Sequence, residues 1–491
     1  MTNLDLEHSR PLDVHRWSYY PETNEFVDEI FASLTSVPGQ RKTSKKLLKV
    51  VLLDLYVAWR SDPELLLSFS RDNNAYRAGS RYNSLHIGRS IIALVDALVE
   101  QGIVCQQKGF FDRRKGFSRN GRIWPSDELK EKFTRAGLDS LSISDHEDRE
   151  VIVLRDAEKQ PIEYEDTDQT LAMRSLLKDY NALIARTHVD LRYEENRVLK
   201  LGSGTKKTSL SITQHHKFVR RIFNNGRWDQ GGRFYGGWWQ RCPKEYRKQI
   251  MLDDIITAEV DYSGLHIVIL YAQEGIDYWK EVNDDPYTVP APEGLDPSID
   301  LRATAKLLLL TAINAKDETS TFQAFRSQAE TGSPEKRLTN AQLSAILDAL
   351  KAKHKPIAHK LASGAGIDLM YVDSQITEKL LRSFTYDLKC PILSIHDSYV
   401  VPFGYDKILR DEMIKAFEDV TGVANVKVEH TTTYFDELEP EKLTASNTDD
   451  GTLDTILPYA CERHTEDYKL FKRFFDKPDI EPWYPDWSGV Y

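Results

Sequence analysis

The strongest indication of the fold is the stretch ITAEVDYSGLHIVILYA, residues 256–272. Residues 255–260 are mostly apolar and predict a buried strand that ends at Asp261, and the apolar run beyond Gly264 predicts a helix. A carboxylate at the end of a buried strand is costly unless it is paired or bound to a metal. Asp261 is therefore a candidate functional residue.

A second stretch, CPILSIHDSYVVPF at residues 390–403, has the same design. It predicts a strand, a turn at His396-Asp397-Ser398 and a returning strand. Two aspartates on neighbouring strands, here Asp261 and Asp397, can jointly hold divalent cations, and their hard oxygen atoms favour Mg²⁺. Two such ions would activate a 3′-hydroxyl and stabilise a leaving pyrophosphate. Each aspartate taken alone is better explained as an ordinary turn residue that caps the end of a strand.

Between the two aspartates, the segment LRATAKLLLLTAINAKDE predicts a helix. Arg302 and Lys306 are four residues apart and share one face, which Leu310 and Asn314 continue. Two cations one turn apart can bind a triphosphate. A solvated face is the ordinary explanation of this spacing, but the position between two strand-end aspartates favours the phosphate site.

Residues 206–248, which we name the basic lane, are rich in cations although the chain has a net charge of -11. The segment contains eleven Lys and Arg residues but only two acidic residues, Asp229 and Glu245, and aromatic residues and glycines are interleaved with them. Basic side chains neutralise phosphates, aromatic rings stack on bases, and glycines permit close approach. The alternative is a surface helix followed by a turn rich in packing aromatics. The lane predicts nucleic-acid contacts by Lys217, Arg220 and Arg221.

The N-terminal part has the order of a winged helix. A buried helix over 47–59 and a helical apolar stripe over 90–100 precede a hairpin with a basic tip. The tip carries Arg113, Arg114 and Lys115, which we predict to contact DNA or RNA phosphates. The alternative is a solvated loop on a helical domain, or a surface for a protein partner.

Composition excludes several classes of protein. The 491 residues are 41% hydrophobic and 29% charged, which suits a chain of about three domains. Because neither an apolar run of about 18 residues nor a signal-peptide pattern occurs, we expect a cytoplasmic protein without a membrane partner. Four scattered cysteines exclude a disulfide scaffold and a zinc ribbon, and the absence of GxxxxGK[ST] excludes a Walker-type ATPase.

Taken in order, the motifs resemble the polymerase core of the family A DNA polymerases and the related phage-type single-subunit RNA polymerases. The resemblance covers about residues 200–410. Three motifs carry it: the first catalytic motif Val260-Asp261-Tyr262-Ser263, the fingers helix Arg302-x3-Lys306-x7-Asn314 and the last catalytic motif Ile395-His396-Asp397-Ser398. In addition, Gly232-Arg233-Phe234-Tyr235, with Gln240 beyond, is similar to the glycine-arginine element upstream of the first motif.

The resemblance implies a role for each matching residue. Asp261 and Asp397 would be catalytic and bind two Mg²⁺ ions, aided by the backbone carbonyl of Tyr262, and Mn²⁺ is expected to substitute. Arg302 and Lys306 would grip the phosphates of the incoming nucleotide. The remaining implied residues are Leu310, Asn314 and His266 at the nucleotide, and Arg233, Gln240, His396 and Gln375 at the nucleic acid.

Some positions depart from the family pattern. Ser398 follows the RNA-polymerase branch, whereas the first motif follows the DNA branch. His266 stands where the DNA branch has a glutamate that helps to exclude ribose, and either a contact with a 2′-hydroxyl or a half-buried strand-end histidine explains it. Leu310 and Asn314 replace the usual aromatic of the fingers helix. Sugar selectivity therefore stays open, and the N-terminal part carries no proofreading motif.

These patterns predict an α+β fold: a right-hand polymerase palm with an antiparallel sheet, helical fingers, a reduced thumb and an N-terminal winged-helix-like domain. The expected division is a polar lead-in (1–44), the winged-helix-like domain and a connector (45–168), thumb-like helices, mainly over 169–225, with the basic lane (169–255), the palm (256–434) with a fingers insertion (about 285–365), and an acidic linker with an aromatic tail (435–491).

The predicted function is template-directed nucleotidyl transfer, foremost by a DNA-dependent DNA polymerase of plasmid, phage or mobile-element replication. We expect a monomer that binds a DNA template and primer, dNTPs and replication partners. Two alternatives stay open: a single-subunit RNA polymerase or primase that uses NTPs, and a DNA-binding replication initiator with a decayed polymerase fold. A metal-dependent nuclease is a more distant alternative, because it leaves the cationic helix without a role.

Overall fold

The computed structural model describes residues 4–112, 116–202, 208–432 and 460–476, which form a mixed α+β structure as the sequence predicts. Within these residues the helices are α1 (Pro21–Ser33), α2 (Arg41–Ser61), α3 (Ser90–Glu100), α4 (Asp127–Ala136), α5 (Asp168–Ala185), α6 (Lys244–Arg247), α7 (Leu265–Gln273), α8 (Leu301–Asn314), α9 (Glu318–Gln328), α10 (Asn340–Lys353), α11 (Gly366–Arg382), α12 (Asp406–Thr421) and α13 (Glu462–Phe475). None of them combines the length and the apolar character that crossing a membrane requires.

The strands within the same residues are β1 (Ser9–Pro11), β2 (Arg16–Trp17), β3 (Leu66–Phe69), β4 (Val104–Gln107), β5 (Phe110–Asp112), β6 (Phe117–Arg119), β7 (Gly121–Pro125), β8 (Ser144–Asp145), β9 (Ile152–Leu154), β10 (Val189–Leu191), β11 (Val198–Leu201), β12 (Thr208–Ser211), β13 (Arg220–Phe223), β14 (Gly231–Tyr235), β15 (Ile250–Leu252), β16 (Ile255–Tyr262), β17 (Leu393–Ile395), β18 (Ser398–Pro402) and β19 (Val428–Thr432).

The N-terminal part has a hydrophobic core of its own, to which α1 to α4 contribute. Its four-stranded sheet has the order β1-β3-β7-β4, with β1 parallel to β3 and the other pairs antiparallel. The predicted helix over 90–100 is present as α3, and it ends before Gly102, whose φ of 72° suits a glycine after a helix C-terminus. Strand β3 lies between α2 and α3 along the chain, and the antiparallel pair β4–β7 follows α3.

The predicted polar lead-in over residues 1–44 is, within its described residues, part of the N-terminal fold. Helix α1 buries Phe26, Val27 and Ile30 in the N-terminal core, and β1 pairs with β3. The segment is polar in composition because an amphipathic helix needs only one apolar stripe, and its other faces meet solvent.

A six-stranded antiparallel sheet presents the two aspartates. Its order is β10-β15-β16-β18-β17, and β19 also pairs with β16. Residues 256–260 of β16 are all buried, which explains why this strand is a nearly continuous apolar run in the sequence. Helix α12 packs on β16, β18 and β19, so the sheet belongs to a hydrophobic core that is larger than that of the N-terminal part.

Helices α8, α9 and α10 lie between α7 and α11 along the chain, within the segment predicted as a helical insertion over about 285–365. Helix α8 packs against both α9 and α10, and it also touches α11. The buried side of α8 includes Ala305, Leu308 and Leu309, and the cations Arg302 and Lys306 lie on its exposed side.

The predicted thumb-like helices over 169–225 are only partly present. This segment contains α5 and then the strands β10 to β13, so the helical prediction is wrong beyond Ala185. The strands are three or four residues long, and β10 and β13 pair with β15 and β9, which are distant in sequence. Such short strands leave almost no periodic signal, and tertiary pairing stabilises them.

The C-terminal part returns to the body of the protein. Residues 433–459, which include most of the predicted acidic linker, lie outside the described residues, as do 477–491. Within the predicted aromatic tail, α13 buries Phe471 and Phe474, and the ring of Phe474 lies 5.4 Å from that of Tyr20.

Candidate active site

Antiparallel pairing places the two predicted aspartates at the same end of the sheet. Asp261 lies opposite Ser398 in the register of β16 and β18, and Asp397 precedes Ser398 in the turn from β17. The backbone N–H of Tyr262 donates to the carbonyl oxygen of Asp397 at 3.4 Å. His396 adopts a φ of 58°, an uncommon value for a residue with a side chain, and thereby completes the tight turn between the strands.

The environment of Asp261 disfavours a free negative charge. Its pKa is raised to about 7, chiefly by burial and then by the charges of Asp397 and Glu259, whereas Lys306 acts in the opposite direction. Within the described residues, Oδ1 of Asp261 is buried and has no hydrogen-bond partner. An unpaired carboxylate oxygen beside a second aspartate fits a hard divalent cation, so Asp261 and Asp397 suit Mg²⁺ as ligands.

Glu259 is a third carboxylate near this pair, but it has partners of its own. The Ser398 hydroxyl donates to its Oε1 at 2.9 Å, and a nitrogen of Arg247 lies 3.3 Å from the same oxygen. Ser398 therefore has a structural partner in this chain. The Tyr262 ring is also buried, and its hydroxyl donates to the Met413 carbonyl at 2.6 Å.

The two predicted phosphate-binding cations lie on the exposed side of α8. The side chain of Arg302 is 59% exposed and its Nε lies 2.5 Å from the Asp285 carboxylate. Lys306 is exposed, and its charge lowers the pKa of Asp261. Of the residues that continue the face, Leu310 is half-buried and Asn314 donates to the Leu310 carbonyl at 2.8 Å.

Tyr287 connects α8 to the carboxylates and was missed by the sequence reasoning. The Arg302 guanidinium and the Lys306 ammonium each lie 5.5 Å from the centre of its buried ring. Its hydroxyl lies 3.6 Å from the position that a Cβ on Gly264 would occupy. Burial, followed by the charge of Asp397, raises its pKa to about 12. The only local signal is the Asp-Asp-Pro-Tyr turn before the helix, which gives no indication of this contact.

Arg233 lies in a buried network next to the aspartate pair. Its Nε donates to Asp373 at 2.7 Å, and another of its nitrogens donates to Nε2 of His266 at 2.8 Å. Because arginine can only donate, His266 accepts at Nε2, and burial and Arg233 lower its pKa to about 4. Burial raises the pKa of Asp373 to about 6, with Asp397 adding to the shift against Arg233. Sequence reasoning missed Asp373, which occupies an ordinary helical position in α11.

The predicted nucleic-acid contacts of Lys217 and Arg221 are wrong. Lys217 is 4% exposed, and its ammonium donates to two main-chain carbonyls at the end of α5 at 3.1 and 2.7 Å. Arg221 is 2% exposed and pairs with Glu378 while donating to the Gly232 carbonyl at 2.8 Å. Cations with such complete internal partners stabilise the fold and do not reach a phosphate backbone.

The other predicted contacts differ in accessibility. His396 is exposed and Arg220 is half-buried. The Gln240 amide donates to the carbonyls of Phe234 and Ser394 at 3.0 and 3.1 Å, so it braces the strands beside the turn. Arg113, Arg114 and Lys115 at the hairpin tip lie outside the described residues, as do Lys206 and Lys207 at the start of the basic lane. Gln375 bonds within the chain, because its amide donates to the Tyr371 hydroxyl at 2.9 Å.

No protein-family model matches the chain, and no curated protein matches it. Among solved structures, the chain is similar to the POL domain of Pol1 from M. smegmatis in complex with DNA primer-template and dNTP. The two are 10% identical and superpose with a TM-score of 0.30. The alignment covers 83% of this chain and spans 65% of that chain.

Proposed function

We propose that this protein is a template-directed nucleotidyltransferase, foremost a DNA-dependent DNA polymerase. The observation that carries the proposal is the pairing of two strand-end aspartates, one with a buried unpartnered oxygen, next to a helix that presents Arg302 and Lys306. Carboxylates that hold Mg²⁺ and cations that hold a polyphosphate are the two groups that in-line phosphoryl transfer requires.

Asp261 and Asp397 would hold the metal ions, which when bound supply charge stabilisation to the attacking and leaving oxygens. The chain itself positions these ligands, because the strand register fixes both aspartates at one end of the sheet. Burial keeps water away from the Asp261 carboxylate and strengthens its interaction with a cation.

The cationic side of α8 would receive the triphosphate. In the free protein Arg302 pairs with the Asp285 carboxylate, and an incoming phosphate would take the place of that carboxylate at Arg302. Lys306, whose charge lowers the pKa of Asp261, would bridge the polyphosphate to the metal site. Leu310, Asn314 and His266 remain proposed neighbours of the nucleotide.

Arg233 and His396 would contact the nucleic acid next to the carboxylates. The Arg233 side chain is 14% exposed beside its partner Asp373, and His396 is exposed in the turn. The N-terminal part, with α3 and the β4–β7 pair, would dock duplex DNA as a winged helix does.

Primer extension with Mg²⁺ on a primed DNA template tests the proposal, with dNTPs in one reaction and NTPs in another. We expect products of template-determined length with dNTPs. Products with NTPs alone would instead identify an RNA polymerase or primase. No product with either set, together with tight duplex binding, would identify a non-catalytic DNA-binding protein.

The pKa of Asp261 predicts the pH dependence of metal use. Because this pKa is raised to about 7, the metal-free group carries a proton below pH 7 that Mg²⁺ must displace. The apparent Mg²⁺ affinity should therefore rise about tenfold per pH unit up to pH 7 and level off above it. Titration of Mg²⁺ into the extension assay between pH 6 and pH 8 measures this. Lys306→Ala should move the break to higher pH, since Lys306 lowers the pKa of Asp261.

The two cations of α8 should contribute unequally to nucleotide binding. Lys306→Ala removes a charge-assisted contact of about 1.5–3 kcal/mol, so the KM for the nucleotide should rise about ten- to a hundredfold. Arg302→Ala should raise KM less, because Arg302 gives up its ion pair with Asp285 when it binds the phosphate. Steady-state primer extension measures both, with the exposed Lys316→Ala as the matched control beyond the end of the same helix. Equal KM values for wild type and Lys306→Ala would contradict the assignment.

A further inference from the structure

A second group of ligand-type side chains lies far along the chain from the aspartate pair. His188 immediately precedes the edge strand β10, Asp190 lies within it, and His464 comes from α13. Their exposed fractions are 1%, 1% and 0%. One nitrogen or oxygen atom from each of the three lies within 4.8 Å of the others.

The hydrogen bonds of His464 indicate a cation beside its ring. Nε2 lies 3.1 Å from Oδ1 of Asp254, and Nδ1 lies 3.1 Å from Oδ2 of Asp190. With one proton, the ring can donate to only one of the two carboxylates, and the lone pair of its other nitrogen then faces a carboxylate oxygen. That arrangement is repulsive unless a positive ion, either a second proton or a metal, lies between the two atoms.

The surroundings of His188 favour a metal ion, and not a second proton on His464, as this positive ion. Within the described residues its Nδ1 is buried and has no hydrogen-bond partner. Its ring packs against those of His464, Tyr468 and Phe471 at 5.2 to 5.6 Å, and such burial favours the neutral form, which keeps a lone pair. A second proton on His464 would leave this nitrogen unsatisfied, whereas a metal ion can use all three donors.

We propose that His188, Asp190 and His464 bind a divalent transition metal, foremost Zn²⁺. Two imidazoles and one carboxylate are a donor set that Zn²⁺ prefers and that Mg²⁺ does not. Asp254 would orient His464 from outside, as carboxylates commonly do for metal-binding histidines. The site borders a cavity of about 320 Å³, also lined by Arg60 and Arg197, which gives the ion a path of entry.

Arg463 also uses Asp190, with two nitrogen–oxygen distances of 2.9 Å. A carboxylate offers about four lone-pair directions, of which the guanidinium takes two and the Leu191 N–H, 2.7 Å from Oδ1, takes a third. One direction, on Oδ2 beside His464, therefore remains for the metal. Arg463 would then hold the carboxylate in place. The metal would join α13 to the edge of the central sheet.

Zinc binding by the full chain tests this proposal. The protein is stripped with EDTA, dialysed and titrated with Zn²⁺ by calorimetry in excess Mg²⁺, and Co²⁺ is added in a parallel sample as a spectroscopic probe. We expect one tight site per chain and the visible absorption of four- or five-coordinate Co²⁺. His188→Gln and His464→Gln should each weaken Zn²⁺ binding at least tenfold, and Asp254→Asn about tenfold.

Two controls separate the outcomes. His354→Gln removes an equally buried histidine whose partners are Tyr271 and the Pro286 carbonyl, so it should retain zinc binding. Asp261→Asn should also retain it, which distinguishes this site from the proposed polymerase centre. Wild type without a stoichiometric Zn²⁺ site, or histidine variants that bind like wild type, would overturn the proposal.

Discussion

Asp261→Asn should lower primer extension at least about a thousandfold while the protein remains folded. The amide keeps the shape of the side chain but removes the charge that holds the cation, and a metal ion stabilises the transition state of phosphoryl transfer by several kcal/mol. Since each 1.36 kcal/mol changes a rate tenfold, the loss amounts to at least three orders of magnitude. Asp397→Asn should have a comparable effect, because both aspartates flank the same end of the sheet.

The same substitution should not destabilise the metal-free protein. The pKa of Asp261 is raised from 3.8 to about 7 in the folded state, so the contribution of this group to stability is full below pH 4 and is lost as the pH rises through 7. At pH 8 the wild type thus carries an ionised, buried carboxylate next to Asp397. The neutral amide of Asn removes this unfavourable charge. Denaturant unfolding in EDTA should give an Asp261→Asn midpoint at or above that of wild type.

The control for this experiment is Asp419→Asn, an exposed aspartate that pairs with Lys379 on the surface. It should leave both extension and stability unchanged. Extension by Asp261→Asn within tenfold of wild type would show that the strand-end pair is not the catalytic centre, whatever the fate of the zinc site.

Asp373→Ala should be the most destabilising single substitution near the site. It leaves the Arg233 guanidinium, whose side chain is 14% exposed, without its carboxylate partner in a buried position. Removal of one member of a buried ion pair typically costs about 3–5 kcal/mol. Asp373→Asn keeps an acceptor for Nε of Arg233 and should cost less. Urea unfolding monitored by circular dichroism measures the free energy of unfolding of both variants.

A double variant separates the structural from the functional role of this pair. Asp373→Leu with Arg233→Leu removes both charges and should recover much of the stability, because apolar residues often replace a buried pair without loss. Primer extension should stay impaired, since Arg233 is the proposed contact to the primer end. If the double variant extends primers like wild type, Arg233 has no role at the nucleic acid. The coupling energy between the two positions should exceed about 0.5 kcal/mol, as for residues in direct contact.

Periodic patterns made the main elements predictable. The apolar run over 255–260 and the stripe over 90–100 correspond to β16 and α3, because burial on both faces or on one face leaves a readable pattern. The convergence of Asp261 and Asp397 was also expected, since each follows a recognisable strand. Short strands such as β10 and β13 were missed because their partners are distant in the chain.

The burial of cations was not predictable from composition. Lys217 and Arg221 are in a segment with eleven basic residues and two acidic ones, yet both are buried. Their partners are two main-chain carbonyls and Glu378, and no local pattern connects these groups to the basic lane. The same holds for Asp373, which occupies an ordinary position of α11 until folding brings Arg233 to it.

The amino-acid sequence by itself determined the strands that end in Asp261 and Asp397 and the spacing of Arg302 and Lys306, because hydrophobic periodicity and helical geometry act over neighbouring residues. Only the tertiary structure decided which charges remain available at the site. It placed Tyr287 beneath the two cations and brought His464 to the edge of the sheet. The physical reason is that the energy of a charged group depends on partners and burial supplied by distant segments, and these exist only once the chain has folded.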